Sequence, residues 1–180
     1  TDPDAPPSDT SDTDPSEGAQ PMFTVSAADA KAHGLPAATI SVSTDGGLTP
    51  FALPTEHAYL QLSGPPGSPF GLSVESVKAG STETDLRNVA ELRFEGQELE
   101  LGAFGEIELA GAPRPAITCA AGQSLGRAYH LLALVEAPGG GAVLVDFGMG
   151  PTEPPMPTPQ QLLEDDKAGP LLRSLQVSFE

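Results

Sequence analysis

The clearest pattern in the chain is a pair of apolar runs, Ala128–Val135 and Ala142–Phe147, on either side of the breaker Glu136–Gly141. Both runs are short and bounded by Gly and Pro, which predicts two strands joined by a hairpin loop. Each run is apolar at odd and even positions alike, with His130 and Asp146 as the main exceptions. A strand with two apolar faces needs cover on both sides, so this hairpin is expected at the centre of a layered domain.

Weaker patterns precede it. After a short apolar lead-in at Met22–Val25, Ser26–His33 reads as a brief helix with Ser26 as N-cap and Gly34 as its end. Ala38–Val42 and Ala58–Leu62 read as strands, closed by Asp45-Gly46-Gly47 and by GPPG. Phe70–Val77 alternates, with Phe70, Leu72 and Val74 on one face. Ser81–Arg93 is the best helix of the first half. Ser81 or Thr82 can cap it, and Leu86, Val89, Ala90 and Arg93 fall in one stripe.

Gln97–Leu109 reads as a second hairpin around a loop at Gly102-Ala103-Phe104. That register sets Glu100 opposite Glu106 and Glu98 opposite Glu108. Pro113 and Pro115 break the chain, and Ala116–Ala120 adds a strand. After a proline-rich loop, Thr158-x-x-Gln161 with Pro159 is a capping box for a helix reaching about Lys167. Gly169-Pro170 interrupts that helix. Leu171–Ser174 adds a turn before a last strand at Leu175–Phe179. The expected class is therefore α+β: an antiparallel sheet with helices packed on it.

Composition changes this picture at the N-terminus. Thr1–Gln20 holds six acidic residues, four prolines, no basic residue and no Leu, Ile, Val or Phe. Such a segment buries too little apolar surface to offset its ordering entropy. The expected organisation is a disordered acidic linker over residues 1–21 and a single α+β domain over residues 22–180. The linker's composition resembles the stretch that follows the lipidated cysteine of mature bacterial lipoproteins. That resemblance implies a lipoprotein or secreted protein of the bacterial cell envelope, with a lipid anchor upstream of Thr1 as its membrane contact.

The net charge of −17 repels phosphate backbones and anionic headgroups, which argues against nucleic acid as a partner. A lone cysteine, Cys119, excludes an intramolecular disulfide and a multi-cysteine zinc site. No run approaches the roughly 20 apolar residues of a membrane-spanning helix.

From the paired runs AYHLLALV and AVLVDF, the proline-rich loop, the helix QQLLEDDK and the ending LLRSLQVSF, residues 97–180 resemble the PsbP-like proteins, a group that includes the Mog-type Ran-binding proteins. The resemblance is one of element order. It implies an α/β/α sandwich and a non-catalytic binding or assembly role with an unidentified protein partner. It carries over no catalytic residues and no cofactor.

The sharpest enzymatic pattern is Gly122-Gln123-Ser124-Leu125-Gly126, the G-x-S-x-G of a nucleophile elbow. A small serine esterase using Ser124 is the alternative reading, with Ala128–Val135 then read as a helix. Its weakness is the base: that fold places its His well after the Ser, and His33, His57 and His130 leave no such residue. Glu98, Glu100, Glu106 and Glu108 on one hairpin face are a candidate Ca²⁺ set, against a solvated acidic face that blunts sheet pairing. Cys119 reads as a small buried hydrophobe. Asp146, polar on a buried strand, is a candidate functional residue, or a polar residue near a strand end.

Overall fold

The computed structural model describes residues 22–44, 48–52, 54–64, 70–123, 126–150 and 154–180. The acidic segment 1–21, the Asp45-Gly46-Gly47 turn, most of GPPG and Ser124 lie outside the described residues.

Seven strands form one antiparallel sheet in the order β3-β4-β5-β9-β8-β7-β6. They are β3 (Thr49–Ala52), β4 (Ala58–Ser63), β5 (Gly71–Val77), β6 (Glu98–Leu109), β7 (Ala112–Gln123), β8 (Gly126–Glu136) and β9 (Ala142–Met149). The hairpin β8–β9 lies inside this sheet, paired from Tyr129↔Met149 to Glu136↔Ala142. Its odd positions, including Leu131, Ala133, Val135, Val143, Val145 and Phe147, enter the larger core. The even positions Leu132, Leu134, Ala142 and Leu144 enter a second core on the opposite face. Both faces are covered, as the two-sided apolar pattern requires.

Among the described residues a single helix, α2 (Glu83–Arg93), covers the second face through Leu86 and Ala90. Its start is the capping box Thr82/Asp85, in which the Thr82 hydroxyl accepts from the Asp85 N–H and the Asp85 carboxylate from the Thr82 N–H. On the other face lie a three-stranded sheet, β1 (Met22–Val25), β2 (Ala38–Ser43) and β10 (Gln176–Phe179), and the helices α1 (Ala27–Ala32), α3 (Pro159–Glu164) and α4 (Ala168–Ser174). The result is an α+β sandwich with an antiparallel sheet in the middle. No helix among the described residues is long and apolar enough to cross a membrane.

Three expectations are corrected. Glu98–Leu109 is one strand, not a hairpin; the reversal comes at Ala110-Gly111, both at positive φ (52° and 76°). That is the conformation of a two-residue hairpin loop, reached here without the usual Asn-Gly. At Gly102-Ala103, β6 carries a bulge: Leu101 pairs with Cys119 and Phe104 with Ile117, three steps on one strand against two on the other. The glycine is needed because a Cβ there would meet the Met156 sulfur and Thr118.

Pro113 and Pro115 do not break the chain. They sit in β7 where it pairs with β6, and the β7/β8 ladder begins only at Ala116↔Ala133. A proline is tolerated where no neighbouring strand requires its N–H.

Gly169-Pro170 falls inside the first turn of α4, where a missing N–H costs no helix bond. The Asp165 carboxylate accepts from the Lys167 and Ala168 N–H groups and so ends α3 and starts α4.

Candidate functional site

Two places on the α2 face gather polar chemistry, one at each end of the helix. The first forms where the last turn of α2 crosses β5, β9 and β8. Odd positions of β5 and even positions of β8 and β9 point to this face, which brings Ser73, Glu75, His130 and Asp146 together. Arg93 closes the set as the last residue of the stripe Leu86, Ala90, Arg93.

The five side chains form one hydrogen-bonded chain. The Ser73 hydroxyl donates to Glu75 Oε1 at 2.6 Å. Arg93 Nη1 donates to Glu75 Oε2 at 2.8 Å, and Arg93 Nε to Asp146 Oδ2 at 2.5 Å. His130 Nδ1 lies 2.8 Å from Asp146 Oδ1. A carboxylate oxygen accepts, which makes Nδ1 the donor of this bond. Phe94 covers the imidazole at 4.6 Å between ring centroids.

Asp146 is buried, with 6% of its side chain exposed, so the Arg93 guanidinium and the hydrogen bond from His130 are what make a carboxylate tolerable there. Burial of Arg93 disfavours its charge, but Glu75 and Asp146 outweigh this and raise its pKa above the ordinary guanidinium value.

Beside this chain lies Cys119, the register partner of His130 across β7 and β8. Cys, His and Asp are the residue types of a thiol-based catalytic set, but the electrostatics run against that chemistry. Burial, and then the Asp146 charge, push the Cys119 thiol up to about 12. A nucleophilic cysteine needs its pKa lowered, because the thiolate is the reactive form. What the chain does is physical. Arg93, held by carboxylates from two strands, fastens the end of α2 to the sheet.

The second place is a cleft of about 340 Å³ at the start of α2, lined by residues of its first turn, β6, β7 and β8, Phe104 and Leu134 among them.

The residues singled out by sequence fall as follows. Asp146 belongs to the polar chain. Cys119 is fully buried, as its strand position suggests. The four glutamates do not share a face. The β6 bulge shifts the alternation by one, so Glu98 and Glu100 pair with Gly122 and Ala120, while Glu106 and Glu108 pair with Pro115 and Pro113 on the α2 side. No two of them are cross-strand partners, and Glu100 pairs instead with Arg127 at 3.0 Å. Among the described residues no group of three or more His, Cys, Asp and Glu is placed to hold a metal ion.

The segment around Ser124 links two antiparallel strands, Gln123 pairing with Gly126, and Ala128–Val135 is strand, not helix. A nucleophile elbow is a strand-to-helix turn, so its expected surroundings are absent. His33 binds the Asp29 carbonyl and His57 lies exposed beside Glu56.

Sequence reasoning missed Glu75 and Arg93. The one available signal was an arginine in an otherwise apolar stripe.

No family model matches the chain, and no curated protein sequence matches it. Among solved structures, the fold is similar to the solution structure of cyanobacterial PsbP from a Synechocystis species. The TM-score is 0.50 at 13% identity, over 91% of this chain and 96% of that one. The likeness shows the PsbP-like α+β fold.

Proposed function

We propose that residues 22–180 are a single non-catalytic binding or assembly domain, and that residues 1–21 tether it at the bacterial cell envelope. The observation that carries the reading is the state of the Cys119, His130, Asp146 and Arg93 constellation, which has catalytic residue types among the described residues. Its thiol is pushed up to about 12, its arginine is taken by two carboxylates, and its aspartate has both oxygens occupied. Groups committed to one another in this way stabilise a fold and leave recognition to the surface. The strongly acidic surface suits a protein partner with a basic face and disfavours nucleic acid. The acidic, proline-rich segment supports the tether, since like charges keep such a chain extended.

The test is a fluorophosphonate probe on the full chain, with Ser124→Ala as control. No labelling of either protein is the expected result. Stoichiometric labelling that is lost in Ser124→Ala would replace this reading with a serine esterase.

A further inference from the structure

We infer that the cleft at the start of α2 docks a lysine or arginine side chain delivered by an extended segment of a partner protein. The inference rests on the binding-domain reading and names the partner chemistry that one site would take.

The cleft has a structural origin. Beyond Ala116↔Ala133 the β7/β8 ladder stops, although β8 continues to pair with β9 as far as Glu136↔Ala142. Pro113 and Pro115 have no N–H with which to extend it. The β6–β7 hairpin end therefore parts from β8, and the gap opens toward the first turn of α2. Its apolar lining is Phe104, Pro113, Pro115 and Leu134. Phe104 stays 37% exposed, unusual for a ring on a domain with few aromatics.

The charge around this lining is negative and incompletely balanced. Glu83 is engaged by Arg87, through Nε at 2.9 Å and Nη2 at 2.6 Å. Glu136 has only the Ser81 hydroxyl at 3.2 Å, and Glu106 has no partner among the described residues. Arg114, a cation that also lines the cleft, directs its Nε away to the Leu109 carbonyl at 3.4 Å, and Glu83, Glu106 and Glu136 outnumber it there. An anion is disfavoured at this helix start, because the Thr82/Asp85 capping box already supplies acceptors and a negative charge.

An apolar lining under two available carboxylates fits a long aliphatic stem that ends in a cation. The stem packs on proline and leucine while the cation meets the ring face and the carboxylates. The overall negative charge attracts such a partner from a distance. The choice of a polypeptide over a free amine follows from position. β6 is the last strand of the sheet and carries Phe104 and Glu106 of the lining, so an extended segment that pairs with β6 would lie beside the strand that holds these two residues.

The test uses the full chain, labelled for amide NMR, and titrates acetyl-Gly-Lys-Gly-Lys-Gly-amide. Saturable shifts centred on Phe104, Glu106, Leu134 and Glu136 are expected, absent with the doubly N-acetylated peptide and weaker with butylamine. In Glu106→Gln/Glu136→Gln, two exposed positions whose change leaves the fold intact, affinity should fall about tenfold. Non-saturable shifts spread over the acidic surface, equal affinity in the variant, or equal shifts with butylamine would each overturn the assignment. The result is separable from the catalytic question: probe labelling at Ser124 would remove the binding-domain reading without moving a peptide shift.

Discussion

Arg93 and Asp146 stand 53 residues apart in the chain and meet through Nε and Oδ2 at 2.5 Å. One closes the last turn of the only helix on its face among the described residues; the other sits in β9 between the apolar Val145 and Phe147. Removing Arg93 leaves the Asp146 charge buried without its cation. Arg93→Ala is therefore expected to cost ~3–5 kcal/mol in urea unfolding. Arg93→Lys should recover only part of this, because a point charge cannot replace a fork that reaches Glu75 and Asp146 together. A loss below ~1 kcal/mol in the alanine variant would mean that the ion pair contributes little net stability.

The thiol of Cys119 should be silent in the native protein. Its pKa near 12 leaves almost no thiolate at pH 8, and the residue is fully buried. Iodoacetamide at pH 8 should label the unfolded chain readily and the native chain at the rate of unfolding. Fast native labelling would refute both the burial and the electrostatic argument.

Thr118 Oγ1 is buried and has no hydrogen-bond partner among the described residues. An orphaned hydroxyl costs roughly 1–3 kcal/mol, so the near-isosteric Thr118→Val should leave stability unchanged or raise it by up to that amount. Thermal melts of both proteins decide this. A clear loss would show that the hydroxyl has a bonded partner. Gly102→Ala, which drives a methyl toward Thr118 and Met156, should instead destabilise by ~1–3 kcal/mol.

The cap of α2 supplies a pH dependence. Hydrogen bonds from the Thr82 hydroxyl and then the Thr82 N–H lower the Asp85 pKa below its ordinary 3.8. A depressed folded-state pKa stabilises the protein above the unfolded value, and that contribution is lost as pH falls through the folded value. The gap in Tm between the parent and Asp85→Asn should therefore hold constant above about pH 5 and close on acidification below it. A gap that widened toward low pH would contradict the sign.

Residues 1–21 are proposed to act as a linker. Their deletion should change unfolding free energy by less than roughly 0.5 kcal/mol. Amide exchange on the full chain should find protection beginning after Met22. A larger loss, or protected amides between Asp2 and Glu17, would mean that the segment docks on the domain.

Features set by neighbours in the chain were legible from sequence alone. The caps at Ser26, Thr82 and Thr158 are bonds between a side chain and a backbone three residues on, so a short pattern suffices to place them. The β8–β9 hairpin was equally local: two apolar runs and a glycine-rich link. Its central position followed from apolar residues on both faces. Tertiary structure alone decided the β6 bulge, because the need for Gly102 comes from Thr118 and Met156, which approach it only in the folded chain. A one-residue slip in alternation then moved two glutamates to the opposite face, which no count of alternating positions could reveal. The Arg93–Asp146 contact and the cleft beside Phe104 belong to the same class. Each depends on which strands stand side by side and where a ladder stops, and pairing across long stretches of sequence is chosen by the packing of the whole sheet, not by the residues next to it in the chain.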